Sequence, residues 1–257
     1  MLSEVYILSA LCATALSAPT LSYSASGTAV APDMSFLTDY FQLLASKVQE
    51  GRDMSSAPVC NLNNAELPAS SLPTPAAGLT LHHVAIGRGT QNYSCDADAT
   101  AAPTALGALA TLYNASCIAS TYPDLLAILP NLALQFNIQN TTASLPASNL
   151  MISGHHFFSN LTTPVFDLNT AAMSLGEGSF SKNTSAVAPA DAVVGQNGEG
   201  YGAVTWLQLL TRDSTGNLQQ VYRTNTAGGA APPTCAGIIN TSFEVQYSAA
   251  YWVFSKK

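Results

Sequence analysis

Charged side chains are scarce in this sequence. Lys, Arg, Asp and Glu make up only 9% of the 257 residues, whereas a typical soluble domain carries about 25%. Disordered chains and coiled coils need far more charge, so the composition argues against both. The net charge is −7, and nucleic-acid binding needs clustered Lys and Arg to neutralise phosphates. The sequence therefore gives no indication of a nucleic-acid partner.

Long uninterrupted apolar runs are lacking beyond the N-terminus. Residues 99–166 hold a single formal charge, Asp124, but prolines and N-glycosylation sequons interrupt them repeatedly. A membrane-spanning helix requires about 20 consecutive apolar residues. We therefore expect no membrane span in the mature chain.

The common catalytic signatures are also missing. The sequence contains no G-x-S-x-G, H-E-x-x-H, P-loop or C-x-x-C motif, which would mark a hydrolase, a zinc protease, a nucleotide site or a thiol site. The paired carboxylates of a glycosidase are defined by their separation in space, so no sequence spacing tests them. Four carboxylates remain as residues of a cleft rim or as solvated loop residues: Asp167, Glu177, Asp191 and Glu199.

The N-terminus has the pattern of a secretory signal. An apolar stretch from Val5 to Leu16 ends in small residues, which is typical of a cleaved signal peptide. We assign residues 1–18 to this signal and expect cleavage within residues 15–20. The mature protein is then predicted to be secreted, and to be extracellular or attached to the cell wall.

Residues 19–57 are predicted to form a flexible leader and one helix. Apolar residues recur at helical spacing between Asp33, a good N-cap, and Gly51. The polar face of this helix lacks the Lys and Arg that anionic lipid attracts, so we expect the helix to pack on the main domain. The remaining residues, 58–257, are predicted to form a single domain.

The cysteines indicate two disulfides. Cys12 lies inside the signal, which leaves an even number of cysteines in an exported chain. Four cysteines allow three connectivities. In Asn92-Tyr-Ser-Cys95 and Asn114-Ala-Ser-Cys117 a sequon precedes a cysteine by three residues, so a strand would place the asparagine and the cysteine on opposite faces. This parity favours pairing Cys95 with Cys117, and therefore Cys60 with Cys235.

Sequons indicate an N-glycosylated protein. Six Asn-x-Ser/Thr acceptors follow the signal, more than chance supplies. Glycans would also supply the surface hydration that the scarce charges cannot. The predicted acceptors are Asn92, Asn114, Asn140, Asn160, Asn183 and Asn240.

Strand patterns dominate from Leu79 onward. Short runs rich in Val, Ile, Thr, Tyr and Phe alternate with turn residues, and Ser214–Asn217 reads as a hairpin turn. This organisation predicts a mainly β fold, an antiparallel β-sandwich or barrel with one N-terminal amphipathic helix. The predicted strands are Leu79–Gly87, Thr90–Cys95, Gly107–Cys117, Asn149–Phe158, Pro164–Leu168, Ala203–Asp213, Asn217–Thr226 and Phe243–Phe254.

The four histidines form two adjacent pairs, each on a predicted strand. Neighbours on a strand point to opposite faces, so each pair offers one imidazole to a given site. If the two strands are neighbours, two imidazoles and a carboxylate could bind a divalent metal. The alternative is that one imidazole of each pair is packed inside while the other is exposed. The candidate ligands are His82, His83, His155 and His156, with Asp167, Asp96 or Glu177 as the third.

Aromatic residues cluster on the C-terminal strands. An exposed row of rings could stack on a sugar, and the candidates are Trp206, Trp252 and Tyr201. Strand parity places Tyr251 in the core and Trp252 on the other face. That second apolar face is either buried or a binding surface, and we favour burial.

Five segments of the sequence carry a family resemblance: LHHVAIGRGTQNYSC (Leu81–Cys95), GHHFFSNLTTPVFDL (Gly154–Leu168), TWLQLL (Thr205–Leu210), VYRTNTAGGAAPPTC (Val221–Cys235) and VQYSAAYWVFS (Val245–Ser255). They resemble an uncharacterised secreted family that is abundant in filamentous fungi. The resemblance covers roughly residues 58–255 and implies a single secreted domain without an established activity. Genome listings often label fungal members malate dehydrogenase.

The sequence lacks the dinucleotide-binding motif that a malate dehydrogenase requires. Such a site needs G-x-G-x-x-G between a strand and a helix. The nearest segment, Gly87–Asn92, lacks the third glycine and runs into a strand-like sequon. We therefore expect no nicotinamide cofactor.

These observations predict a secreted glycoprotein without catalytic activity. It would be a cell-surface protein or one that binds an extracellular carbohydrate, a cell-wall component or another ligand. The alternative is a small secreted enzyme that depends on a divalent metal bound through the histidine pairs.

Overall fold

The computed structural model describes residues 35–53, 60–136, 138, 144–145, 148 and 150–257. The predicted signal peptide, most of the predicted leader and the sequon at Asn140 lie outside these residues, so those assignments stay predictions. No helix in the described ranges is both long and apolar enough to span a membrane.

Eight antiparallel strands close into a barrel. The strands are β1 (Leu79–Cys95), β2 (Thr104–Asn114), β4 (Leu150–Asn160), β5 (Thr163–Asn169), β6 (Ser174–Ala186), β7 (Trp206–Ser214), β8 (Leu218–Gly228) and β9 (Thr241–Lys256), with a two-residue β3 (Ser144–Leu145) beside β4. The sheet order is β2-β1-β9-β8-β7-β6-β5-β4, and β2 also pairs with β4, which closes the sheet on itself. The mainly β prediction is confirmed, and of its two alternatives the barrel is correct.

Successive side chains of β9 point to opposite faces of the sheet and enter two separate hydrophobic cores. Tyr247 and Tyr251 face the barrel interior, whereas Trp252 belongs to a second core outside the barrel wall. This is the parity that the sequence predicted. Gly87 on β1 provides the space for one of these rings, because a Cβ there would overlap Tyr251.

Within the described part of the chain, the outer layer contains α1 (Ser35–Asp53), α2 (Ser116–Thr121) and α3 (Pro123–Gln135). Helix α3 packs against β1, β8 and β9, and α1 packs on α3. Lys47 of α1 lies 3.1 Å from Asp124 of α3. The expected packing of the N-terminal helix on the main domain is thus present.

The sequence pattern predicts neither α2 nor α3. Helix α3 is apolar on nearly all sides, because it is buried between the barrel and α1, and such a helix lacks the polar stripe that reveals the helical period. Pro123 in the first turn, followed by Asp124, was the available start signal. Strand β6 was also missed, since its Gly and Ser residues are typical of a loop.

Arg88 of β1 joins the C-terminal end of α3 to the barrel through hydrogen bonds. Its Nε donates to the Ala133 carbonyl at 2.9 Å, and its Nη2 donates to the carbonyls of Leu134 at 3.2 Å and Phe136 at 2.9 Å. Nη2 also donates to Gln246 Oε1. The negative end of the helix dipole therefore receives a buried cation. Burial lowers the pKa of Arg88 to about 10.

The disulfides join Cys60 to Cys117 and Cys95 to Cys235. All four predicted cysteines are bonded, but the predicted pairing was wrong. Strands β1 and β2 are neighbours as expected, yet Ser94 pairs with Thr104 at the far end of β2 from Cys117. The ten steps of β2 cover about 33 Å, so the strand direction places Cys117 far from Cys95. Cys117 also lies in α2 rather than on the predicted strand, so strand parity did not apply to it.

Candidate functional site in the barrel cavity

A cavity of about 380 Å³ lies inside the barrel at the end where β4 turns into β5. This volume is within the range of small-molecule sites. Most of its lining is apolar, and the polar groups come from a few strands. The lining residues are Gln91, Ala105, His156, Phe158, Leu161, Thr162, Pro164, Phe166, Lys182, Leu207, Leu209, Arg223 and Tyr251.

Gly107 shapes one wall of the cavity. Its φ of +123° is a conformation that side-chain-bearing residues rarely adopt, and a Cβ would lie 2.7 Å from Cγ of Phe158. The missing side chain on β2 leaves room for the Phe158 side chain of β4 against the strand. That ring then forms part of the apolar lining.

Arg223 places a positive charge in this apolar space. Its side chain points inward from β8 and is only 7% exposed. Its Nε and Nη2 both donate to the Thr205 carbonyl, at 3.2 and 2.9 Å, which fixes the plane of the guanidinium. Every ion pair within the described ranges involves Lys47, so Arg223 has no carboxylate partner there.

Two tyrosine hydroxyls lie beside Arg223. The hydroxyls of Tyr247 and Tyr251 are 2.8 Å apart and hydrogen-bonded. Burial raises the pKa of both, most strongly for Tyr247, while Arg223 opposes the rise at Tyr251 through its charge and a hydrogen bond. Both side chains are therefore neutral phenols that can donate or accept a hydrogen bond.

Gln91 completes the polar group. Its amide lies close enough to the Tyr247 hydroxyl to oppose the rise of that pKa. However, its buried Nε2 reaches no acceptor at hydrogen-bonding geometry among the described residues. A buried amide donor without an acceptor costs roughly 1–3 kcal/mol. An acceptor on a bound molecule would recover that free energy.

His156 is the only predicted metal ligand among the described cavity-lining residues. Its Nδ1 lies 2.8 Å from the Val165 carbonyl, so Nδ1 carries the proton and Nε2 is an acceptor. The ring stacks on Phe166 with the centroids 4.2 Å apart. Burial lowers the pKa of His156 to about 4, although the Val165 carbonyl opposes this and Arg223 adds to it. The imidazole is therefore neutral at physiological pH.

A family model described as "Protein of unknown function (DUF3455)" matches residues 75–255. The chain belongs to this family. The match runs from just before β1 almost to the end of β9, so the barrel is the family's domain. The prediction of an uncharacterised domain family is confirmed, while its fungal origin stays a prediction and nothing in this match bears on the malate dehydrogenase label. No curated protein and no solved structure matches the chain.

The predicted metal ligands of this DUF3455 domain do not converge. Strand β2 lies between β1 and β4, so the two histidine pairs are not on neighbouring strands. His83 is held at Nδ1 by Ser116 Oγ (3.1 Å) and at Nε2 by Ser153 Oγ (2.9 Å), and burial lowers its pKa to about 4. His82 Nε2 contacts the Leu175 carbonyl at 3.2 Å. In the described ranges no three His, Cys, Asp or Glu side chains are grouped to hold a metal.

One predicted ligand of the second histidine pair, His155, has carboxylate neighbours in the sheet. His155 pairs with Asp167, and Asp167 pairs with Glu177, on the outer side of the barrel wall. His155 and Glu177 are exposed. These three residues are neighbours in the sheet, but none of them comes from the first histidine pair, and they point away from the cavity and from His156.

The predicted sugar-stacking residues do not form an exposed row. Trp252 is 1% exposed and donates through Nε1 to Thr224 Oγ1 at 3.0 Å. Trp206 is also buried, and Tyr201 alone is exposed, at 63%. The apolar second face of β9 is therefore covered by the outer layer, as we favoured. The proposed carboxylates of a cleft rim do not line the described part of the cavity either.

The sequons differ in exposure. Three acceptors, Asn160, Asn183 and Asn240, are exposed, whereas Asn92 and Asn114 are half-buried. Asn160 stands at the turn between β4 and β5, beside the cavity-lining Leu161 and Thr162. The Asn160 Oδ1 accepts hydrogen bonds from the Thr162 backbone N–H (3.0 Å) and hydroxyl (3.1 Å), which holds this turn.

Proposed function

We propose that this chain is a secreted, N-glycosylated binding protein without catalytic activity, which encloses a small, largely apolar molecule in the barrel. The observation that carries this proposal is the apolar cavity of about 380 Å³ inside a closed barrel. Closed barrels leave no free sheet edge, and small ones can hold one ligand among their inward-facing side chains.

The cavity favours a small apolar ligand over a polysaccharide. Sugar binding by aromatic stacking needs exposed rings, and both tryptophans are buried in the outer layer. The cavity walls instead present Phe158, Phe166 and Leu209. Apolar walls with a few fixed polar groups are typical of small-molecule sites.

Two disulfides support the extracellular part of the proposal. Disulfides persist in oxidising compartments and are rare in the cytosol, and here they hold β1 and α2. Three exposed sequons provide accessible glycosylation sites. Expression in a eukaryotic secretory host should place the protein in the medium with a mass that falls on enzymatic deglycosylation. Retention inside the cell without glycans would contradict secretion.

Ligand binding is tested with a neutral fluorescent dye, Nile red. We expect saturable binding with a dissociation constant in the micromolar range, a typical order for an apolar cavity of this size. Leu207→Trp places a larger ring in the cavity and should weaken binding at least about tenfold, because the ligand and the ring need the same space.

Leu109→Trp is the matched control for this substitution. Leu109 is 56% exposed on the outer face of β2, so the same change there should leave dye binding unaltered. Equal loss of binding in both variants, or dye binding by neither variant nor wild type, would contradict the proposal.

A further inference from the structure

We infer that the cavity is specific for a monocarboxylate carried on an apolar body, and that Arg223 binds its carboxylate while Gln91 supplies a second hydrogen bond. This inference rests on the proposed function and names the class of its ligand. It follows from the charge of the lining, from the donors that face the cavity and from the arrangement of those donors.

The charge of the cavity is opposite to that of the chain. Acidic residues outnumber basic residues 15 to 8 in the sequence. The described residues that line the cavity nevertheless include Arg223 and Lys182 and no Asp or Glu. Lys182 is exposed at the rim, where it would attract an anion, while Arg223 lies inside.

A buried guanidinium without a counter-ion is costly. Moving a charge out of water costs several kcal/mol unless a partner compensates. The Thr205 carbonyl accepts from Nε and Nη2, and the Tyr251 hydroxyl lies beside the guanidinium. A guanidinium has five N–H donors in a rigid fork, so donors remain for a bound anion. A carboxylate matches this fork with two parallel bonds.

The donors converge on one end of the ligand. Arg223 lies beside the Tyr251 hydroxyl, and Gln91 lies beside the Tyr247 hydroxyl. Those two hydroxyls are only 2.8 Å apart. The guanidinium and the Gln91 amide, whose Nε2 lacks an acceptor among the described residues, therefore flank one small region, while the apolar rings surround the remaining space.

A single negative charge fits this arrangement better than a phosphate. One guanidinium inside the barrel balances one charge, and the neighbouring Tyr247, Tyr251 and His156 are all neutral. A phosphate dianion would leave one charge unbalanced in a space of low polarity, which is costly. The geometry thus points to a carboxylate head with an apolar body that contacts Phe158 and Phe166.

The test compares carboxylates with amides of the same shape by isothermal titration calorimetry. The probe pairs are benzoate with benzamide, 1-naphthoate with 1-naphthamide, and decanoate with decanamide, so that three body sizes are covered. In each pair the two heads have nearly equal volume, and only the carboxylate is charged. We expect the best-fitting carboxylate to bind at least about tenfold more tightly than its amide, since a hydrogen bond to a charged group is the stronger one.

Arg223→Gln should remove this preference. The carboxylate should lose about 30-fold or more in affinity, while the amide changes less than about threefold because the apolar contacts remain. Arg223→Lys keeps the charge without the fork and should retain part of the preference. Arg212→Gln is the matched control, because Arg212 is exposed on β7 and does not line the described cavity; it should leave the ratio unchanged.

Gln91→Met provides a second measurement if Arg223→Gln does not fold. It removes the amide donor with little change in volume, and it should lower the preference for the carboxylate several-fold. Binding of carboxylate and amide with equal affinity in the wild type would overturn the inference and leave the proposed function standing. Failure of every carboxylate, every amide and Nile red to bind would overturn the proposed function.

Discussion

Two buried arginines of this barrel are supported in different ways. Arg88 lies outside the barrel wall, where its Nη1 donates to the carbonyls of Gly89 (3.0 Å) and Tyr247 (3.2 Å). Its Nε and Nη2 donate to the last carbonyls of α3. Arg223 lies inside, where the Thr205 carbonyl takes two of its donors. The first arginine is enclosed by its own protein, and the second faces a space that a ligand can occupy.

The two buried histidines repeat this contrast. Both ring nitrogens of His83 contact serine hydroxyls, those of Ser116 and Ser153. His156 uses Nδ1 for the Val165 carbonyl and borders the cavity. Burial alone therefore does not distinguish a structural polar group from a functional one. In these two pairs the difference is that Arg88 and His83 are bonded within the protein, whereas Arg223 and His156 border the cavity.

The largest expected effect is the difference in stability between two substitutions. Arg88→Met leaves the last carbonyls of α3 without a donor, and we expect it to lower the free energy of unfolding by about 3–5 kcal/mol. Arg223→Met removes a buried charge that has no counter-ion among the described residues, so the change should stay within about 1 kcal/mol or be stabilising. Urea unfolding monitored by tryptophan fluorescence measures both.

Arg212→Met is the control for this comparison, because exposed positions usually change stability by less than about 0.5 kcal/mol. A loss at Arg223 as large as the loss at Arg88 would show that Arg223 holds the fold together. The contrast between the two arginines would then be wrong.

The next effect is the pH dependence of stability. His83 and His156 each have a pKa of about 4 in the folded protein, compared with about 6.5 in an unfolded chain. Between these values the unfolded state binds more protons, so stability falls as pH falls. Each histidine should account for a loss of about 3 kcal/mol between pH 7 and pH 4, and urea unfolding at several pH values measures it.

Substitution separates the two histidines. His83→Phe and His156→Phe should each flatten the pH profile, whereas His155→Phe, at an exposed position, should leave it unchanged. A saturating carboxylate ligand should alter the contribution of His156, because it borders the cavity with Arg223, but not that of His83. A profile that keeps its slope in both buried-site variants would contradict the assignment.

The sequence anticipated the strands whose residues alternate and missed those elements whose residues do not. The alternation around Tyr251 and Trp252 located both faces of β9, because burial on one side imposes a period of two. Helix α3 is not apparent from the sequence, because burial on nearly all sides removes the helical period of its apolar residues. Strand β6 is not apparent because its glycines are typical of a loop. Gly176 and Gly178 lie where close neighbours leave no room for a side chain.

The site was less accessible to sequence reasoning than the fold. The two histidine pairs suggest a metal site, yet β2 separates the strands that carry them. The position of Arg223 could be read from the strand pattern. Arg223 lies two residues after Val221, so both side chains point to the inner face of a strand with a strong β pattern. An arginine at an inward position of an apolar strand indicates a buried charge, but no spacing connects it with Gln91, which lies 132 residues earlier.

The sequence by itself determined the mainly β class, the membership of four cysteines in disulfides, the faces of β9 and the lack of common catalytic motifs. Those properties depend on composition and on patterns between near neighbours. Only the tertiary structure decided that the barrel closes, that Cys60 joins Cys117, and that Arg223, Gln91 and two tyrosines meet at one cavity. Strand order and register fix these contacts, and both depend on the packing of the whole barrel rather than on any local stretch of the chain.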